Sequence, residues 1–394
     1  MNLKKLLRKK RLKILGLMSG TSANGIDGCV AEIGKKKAGV RIRQIGFRTF
    51  GFPSSLQKEI LKASEPGYQN VDQVIRLDFL LGEHFAVAAK KMAQSCGLNI
   101  KDIDLIGSHG QTVRHLPQLK KMDGYLIRGT LQIGEPQVIS SRTGVITIAD
   151  FRRKDISEAR EGAPLTPLAH FFLFNEKEKN QGVLNIGGIA NLTFLPRGKR
   201  IDKVRGMDTG PGNMLIDNLM RKFFKKNYDK DGETAFKGKI IEPVLDHYQK
   251  KILFRLKKRK STGREDFDEK FTEDFVRKTL GYTSKPEDVI RTASELTARS
   301  VYRAFESFLR PGEHLDELIL CGGGALNRYI FKRLETLFYP AKVRISSELG
   351  YDHSAIEPLA FAIFAYLTWC ELSGNMAAFS KINKPAISGK ICLP

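Results

Sequence analysis

Short apolar runs broken by glycine turns alternate along this chain with longer amphipathic stretches. Leu12 to Leu17 reads as a strand that breaks at Gly16 and Gly20, and Ile26 to Ile33 resumes it. The same grammar returns at Gly182: Val183 to Ile186 is apolar, Gly187 and Gly188 form the turn, and Ala190 to Leu195 resumes. Two such hairpins, each opening one half of the chain, predict an internal duplication rather than a short-period repeat. Between them the spacing predicts a helix over Val71 to Cys96, strands at Leu105 to Ser108 and Val145 to Ala149, and a helix from near Pro164 to Phe174. The second half predicts a helix from Met214, a basic helical region around His247 to Lys260 and a long helix from Ser294 to Leu309. A strand at Leu318 to Cys321 follows, then three glycines and a further helix, and a last helix from Glu357 to Leu372. Strands alternating with helices define the class as α/β. A polar connector at Asn175 to Gln181 divides residues 14–180 from 181–394, with the tail free to pack back on the first lobe.

Composition narrows the class. The 394 residues are 41% hydrophobic and 28% charged, enough for two or three packed domains and too apolar for a disordered chain. The net charge of +23 is uneven: Met1 to Lys13 holds seven basic residues and no acid, and Met220 to Arg264 holds fifteen basic against five acidic. The first of these stretches has no aromatic residue, so nucleic acid is not the expected partner; anionic nucleotides are attracted by the same field. Residues 1–13 are expected to form a dispensable arm. Five scattered cysteines without a CxxC pair fit a reduced, cytoplasmic protein. The apolar run Ile14 to Met18 is too short for a secretory signal, and Leu359 to Leu367 falls short of the ~20 residues that cross a bilayer.

Candidate chemistry gathers at the turns. Gly20, Thr21, Ser22, Asn24, Gly25 and Asp27 crowd the first hairpin, where backbone N–H groups and hydroxyls can cradle an anion or simply make a turn. The segment is neither a Walker A loop nor GxGxxG. Asp208-Thr-Gly210-Pro-Gly-Asn213 reads as an N-cap before a helix or as a rigid anion-facing loop. Gly322, Gly323 and Gly324 serve either close strand-to-helix packing or the approach of backbone to a ligand. His109, Gln111 and Thr112 fall at a strand end, where ligand groups collect in α/β proteins. Asp150-Phe-Arg152-Arg-Lys-Asp155 follows another strand and suits an acidic sugar as well as a solvated loop.

Together these motifs resemble the anhydro-N-acetylmuramic acid kinases of the actin, hexokinase and sugar-kinase superfamily. The most specific stretches are Gly16-Leu-Met-Ser-Gly-Thr-Ser22, Gly107-Ser-His-Gly-Gln-Thr112, Ala149-Asp-Phe-Arg-Arg153, Gly162-Ala-Pro-Leu165, Asn185-Ile-Gly-Gly-Ile-Ala-Asn191, Asp208 to Asn213, Lys260-Ser-Thr-Gly-Arg-Glu265 and Cys321-Gly-Gly-Gly-Ala325. The resemblance implies a two-lobed, duplicated actin/hexokinase-like ATPase fold with a central cleft, and ATP with Mg²⁺ as cofactors. It implies a sugar substrate, no nucleic-acid or membrane partner, and allows a homodimer. It places the first hairpin, Gly187, Gly188 and Gly210 near the phosphates, the triple glycine near the nucleoside and Asp27 near the metal. Asp208 becomes the general base, and His109, Gln111, Arg152 and Glu357 become sugar contacts. Two departures stand out: the family's usual Ser-Leu-Asp-Gly is Ser22-Ala-Asn-Gly25 here, and its Gly-Gly-Gln before Gly-Ala-Pro is Ala159-Arg-Glu161. Asn24 then either weakens metal use or shapes the turn. The implied activity is ATP-dependent opening and O6 phosphorylation of 1,6-anhydro-N-acetylmuramic acid; a same-superfamily kinase for another sugar or carboxylic acid, or a weakly catalytic ATP-binding protein, are the rivals.

Overall fold

The computed structural model describes residues 6–36, 39–158, 160–198, 200–258, 264–372 and 386–394. Most of the Lys260 to Glu265 motif, Ala159 and the first five residues of the basic arm lie outside this set. Two compact units emerge, one of residues 1–173 with 355–394 and one of residues 174–354. The sequence division runs the second lobe from 181 to 394 with a tail free to pack back on the first; here 355–394 belong to the first unit.

The first unit is built on β1 (Arg11–Ser19), β2 (Gly25–Lys36), β3 (Gly39–Gly51), β4 (Leu105–Met122), β5 (Tyr125–Ile133), β6 (Thr147–Ala149) and β12 (Lys390–Cys392). Their order is β12-β6-β4-β1-β2-β3, with β5 paired to β4. The second unit carries β7 (Gln181–Ile186), β8 (Ile189–Leu195), β9 (Arg205–Pro211), β10 (Glu317–Cys321) and β11 (Lys342–Ile345), ordered β11-β10-β7-β8-β9. In each unit the first three strands form an antiparallel meander, the first strand pairs in parallel with the fourth, and the fourth pairs in parallel with a later strand, β6 in the first unit and β11 in the second, β5 being an antiparallel addition to β4. The order and directions of these five strands occur twice over, which is the expected duplication within an α/β fold.

The predicted helix over Val71 to Cys96 is found at Val71–Ser95, opened by the Asn70 side chain, which accepts from the Gln73 N–H. It covers one face of the first sheet, where Leu81, Phe85 and Ala89 meet Leu15, Leu17 and Ile106 in one apolar core. The helix Ile356–Trp369 packs on β1, β2 and β4 and is apolar on nearly all sides, as a fully buried helix must be. Gly16 and Gly107 lie side by side in the β1–β4 register beneath it. A Cβ at Gly16 would sit 1.8 Å from the Pro358 carbonyl oxygen, and one at Gly107 2.1 Å from that of Phe361. These two motif glycines therefore serve helix docking. Gly16→Ala is expected to cost about 1 to 3 kcal/mol, because backbone rather than a flexible side chain must move; a urea melt that leaves the midpoint unchanged would refute this.

Elsewhere the elements depart from the sequence expectation. β1 begins at Arg11, Leu6 is buried, and Lys9 pairs with Asp104, so the supposed arm is tied to the sheet before residue 13. His109 and Gln111 lie inside a strand of eighteen residues rather than at the end of a short one. Asp123 and Gly124, both at positive φ, form the turn that sends β4 back as β5. The long helix starts at Pro286, eight residues earlier than expected, since Pro suits a first turn. Among the described residues no helix is long and apolar enough to cross a membrane.

Candidate active site

Each unit presents its own set of motif residues, built from its own hairpin. In the first unit, residues 20–24 form the β1–β2 turn, with Ala23 N–H donating to the Gly20 carbonyl at 3.0 Å and Ala23 at φ +49°. Gly25 faces Gly51 across the ladder, and a Cβ there would lie 2.3 Å from the Phe50 carbonyl oxygen. Asn24 is held at both ends. Its carbonyl accepts from Phe52 N–H at 3.0 Å, and its Oδ1 accepts from Gln57 Nε2 at 2.7 Å. Gln57 also donates to the Ser22 carbonyl at 3.2 Å and so joins two positions of the turn. Sequence reasoning missed Gln57, since a lone glutamine on the helix Ser54–Ala63 carries no motif.

Asp27 projects from β2, and its Oδ1 accepts from the Thr49 hydroxyl at 2.5 Å. Burial pushes its carboxyl pKa up, and the Thr49 bond opposes that rise. Gln111 is 1% exposed and accepts from the buried Ser19 hydroxyl at 2.6 Å, tying β4 to β1.

His109, Arg152 and Glu357 do come together. His109 Nδ1 lies 3.1 Å from the Gly110 carbonyl oxygen, and Arg152 Nε lies 3.1 Å from His109 Nε2. Arg can only donate, so Nε2 is the acceptor and the ring is the neutral tautomer with hydrogen on Nδ1. Burial, and after it the charge of Arg152, hold the imidazole well below its usual pKa; the Gly110 bond opposes them weakly. The ring stacks on Phe361 with centroids 4.6 Å apart. Arg152 also donates to the Gly162 carbonyl at 2.8 Å. Burial brings its pKa down to about 10, opposed by the carboxylates of Glu357 and Asp155. Glu357 occupies the first turn of the docked helix, close enough to act on Arg152 through space. His115, held down to about 4 by burial and by Arg152, joins the same group. Arg160, of the departing Ala159-Arg-Glu161 segment, is buried and paired with Asp155 and Glu158.

In the second unit the glycines converge. The Gly187-Gly188 turn accepts from Gly212, Asn213 and Met214: Gly212 N–H to Gly188 at 2.9 Å, Asn213 N–H to Gly187 at 2.7 Å and Met214 N–H to Gly188 at 3.1 Å. A Cβ on Gly212 would meet the Gly187 oxygen at 2.2 Å, so only glycine closes this contact. Asn213 Nδ2 donates to the Ile186 carbonyl at 3.2 Å, and its Oδ1 lies 2.6 Å from where a Cβ on Gly324 would be. Gly322, at φ +79°, donates to the His353 carbonyl at 2.7 Å. The turn at 187–188, the segment 210–213 and the triple glycine are thus one surface pinned by Asn213, itself the first residue of the helix Asn213–Phe224.

Asp208 is not in a loop. It is a half-buried residue of β9, opposite Asn191 of β8 and just beyond a ladder irregularity at Ala190/Asn191. Pairing with β8 extends the backbone through Asp208 and Thr209, whose hydroxyl donates to the Ala190 carbonyl at 3.1 Å. A strand holds a carboxylate more firmly than the expected loop. Among the described residues no three His, Cys, Asp or Glu side chains gather as a metal-binding group.

Residues 12–393 match the family described as anhydro-N-acetylmuramic acid kinase. The chain is 37% identical over 391 residues to the anhydro-N-acetylmuramic acid kinase of Caldanaerobacter subterraneus subsp. tengcongensis, covering 99% of both chains. It is 36% identical over 377 residues to that of Clostridioides difficile, covering 96% of this chain and 97% of the relative. Among solved structures it is similar to an activator of 2-hydroxyisocaproyl-CoA dehydratase from Clostridium difficile with bound ADPNP, at 12% identity and a TM-score of 0.45, covering 91% of this chain and 96% of that one. The family match spans nearly the whole sequence and the relatives are aligned almost end to end: the chain belongs to the anhydro-N-acetylmuramic acid kinase family.

Proposed function

We infer that this protein is the ATP-dependent kinase that opens 1,6-anhydro-N-acetylmuramic acid and phosphorylates O6, giving N-acetylmuramic acid 6-phosphate in cell-wall recycling. The family match over residues 12–393 carries this reading. The chemistry requires water to attack the anomeric carbon as O6 leaves, and O6 to be captured by the γ-phosphoryl group of ATP. One carboxylate suffices to take the proton from water, and Asp208 is the residue to which we give that task. In β9 it is fixed on a strand one position before a buried threonine and two before the glycine-rich surface, as a base that must keep its aim should be.

The glycine surface of the second unit and the turn 20–25 of the first are the elements we assign to the nucleotide. At Gly20 nothing lies within 4 Å of where a Cβ would stand, and at Gly187 and Gly323 nothing nearer than 3.6 and 3.9 Å, so the backbone there is open to the approach of phosphates. Mg²⁺ at such sites is held by one or two carboxylates plus substrate phosphates. Asp27 supplies a carboxylate of the right kind beside the turn, and this donor set fits the ion. When bound, Mg²⁺ neutralises charge on the transferring phosphoryl group. The Arg152, His109 and Glu357 group is assigned to the sugar, where a cation restrained by a neutral imidazole suits an acidic sugar. The reaction is placed in the cytoplasm, where ATP is supplied.

Mass spectrometry of anhydro-N-acetylmuramic acid, ATP and Mg²⁺ incubated with the protein is expected to show an opened sugar 6-phosphate. A product that keeps the anhydro ring, or ATP turnover indifferent to the sugar, would reject the assignment in favour of another substrate.

A further inference from the structure

β6 is three residues long, and it delivers the chain to Asp150, Phe151 and Arg152. On one side it pairs with β4 through Thr147 and Ile148. Its other edge is covered from the far end of the sequence by β12, with Lys390 opposite Ala149, Ile391 opposite Ile148 and Cys392 opposite Thr147. The segment is fastened on both sides of that pairing. Thr368 Oγ1 donates to the Ser388 carbonyl at 2.5 Å, Ser140 Oγ to the Cys392 carbonyl at 3.1 Å, and Gln137 Nε2 to the Leu393 carbonyl at 2.7 Å. Gly389, at φ +103°, passes so close that a Cβ would lie 3.2 Å from both the Ala149 oxygen and the Phe151 ring.

Asp150 is the step between strand and site. It stands at φ +61°, a left-handed conformation that Asp tolerates better than most residues but that still needs support. Both of its carboxylate oxygens are gripped: Arg153 Nε lies 3.0 Å from Oδ1, and Lys390 Nζ lies 2.9 Å from Oδ2. The next residue, Phe151, is buried against Phe361 and Phe364. The one after it is Arg152, which meets His109.

We propose that residues 386–394 are a positioning element for the substrate side of the active site, acting through Lys390 on Asp150 and so on the aim of Arg152. This rests on the assignment of Arg152 to the sugar. A strand of three residues with one neighbour has little register of its own, and the second neighbour fixes the plane from which the left-handed step departs. Lys390 reaches the site through its ion pair with Asp150, and its effect is carried by that carboxylate.

The test is steady-state kinetics of Lys390→Met, Lys390→Arg and Cys392→Pro, with a thermal melt of each protein and ¹⁵N shifts of the His109 ring. An exposed ion pair is small in energy, so Lys390→Met is expected to raise the sugar KM about three- to fivefold with the ATP KM unchanged. Lys390→Arg restores it. Cys392→Pro removes an N–H that points at β6: Ile106 N–H donates to the Ile146 carbonyl, so Ile148 turns its peptide groups to β4 and leaves those of Thr147 and Ala149 to Cys392 and Lys390, and the substitution is expected to raise the sugar KM about tenfold or more. In both impaired variants the His109 Nε2 shift moves, because Arg152 no longer donates to it in the same geometry. If Cys392→Pro does not fold, Lys390→Met decides. Wild-type sugar KM and an unmoved His109 shift in Lys390→Met would overturn the proposal, as would equal rises in both KM values. Should the wild type not phosphorylate the sugar at all, the functional reading fails, while the His109 shift still tests the positioning role.

Discussion

Asp208→Asn is expected to lower kcat by ~10² to 10⁴, the size of a general-base contribution, with the affinity for ATP largely kept. The amide is nearly isosteric but cannot accept the proton that leaves the attacking water. Asp208 lies in β9, where the extended backbone is fixed by pairing with β8, so the substitution should not disturb the strand. Thr209, next in sequence, is already satisfied by the Ala190 carbonyl and needs nothing from residue 208. Nucleotide binding by calorimetry, measured beside turnover, separates the two effects. A variant within a few-fold of wild type would remove Asp208 from the role of base, and one that also loses ATP would show that the residue works through the nucleotide instead.

Glu295→Ala is expected to be the most destabilising single change in the second unit, by about 3 kcal/mol or more. Glu295 is fully buried in the helix Pro286–Phe308 and accepts from Arg333 Nε at 2.8 Å and Nη2 at 2.9 Å, from Arg299 Nε at 2.7 Å and from the Tyr329 hydroxyl at 2.9 Å. Its removal leaves two guanidinium groups and a buried hydroxyl short of their acceptor. Arg299 and Arg333 retain about a quarter of their exposure, so water relieves part of that cost and keeps the effect near the lower end of the range for buried pairs. Burial alone would raise the Glu295 carboxyl, but the hydrogen bonds from Arg333, Arg299 and Tyr329 outweigh it and hold the pKa below 4.5. In the unfolded chain the group titrates near its ordinary value. The stability it confers is therefore complete above that value and is lost as pH falls through the lower folded one. Urea melts of wild type and Glu295→Gln should converge as pH is lowered from 6 toward 3; a difference that is independent of pH would show that the network acts by packing rather than charge.

The parts of this protein that its sequence determined are those set by local pattern. Periodicity alone located the helix Val71–Ser95, and the paired glycine turns at residues 20–25 and 187–188 announced a duplicated unit, because a strand that stops at glycine and resumes is a local event. The β4–β5 hairpin went unpredicted, although Asp123-Gly124 is a dipeptide suited to positive φ at both positions. Motif membership marked Asp208, His109, Arg152 and Glu357, and the last three prove to be neighbours within one unit. What each motif residue does was settled by residues far away in the chain. Gly16 and Gly107 look like parts of ligand turns but are the floor for a helix 250 residues or more along, since only their missing Cβ atoms admit its backbone. Asn24 takes its hydrogen bond from Gln57 on the following helix, and Gln111 ties β4 to β1 through Ser19. Asp208 looks like a loop residue but belongs to a strand, because pairing with β8 supplies hydrogen bonds that no local signal foretells. Local sequence encodes the turn and the period; which backbone approaches which, and hence which polar atom remains for chemistry, is decided only when distant strands and helices close on one another.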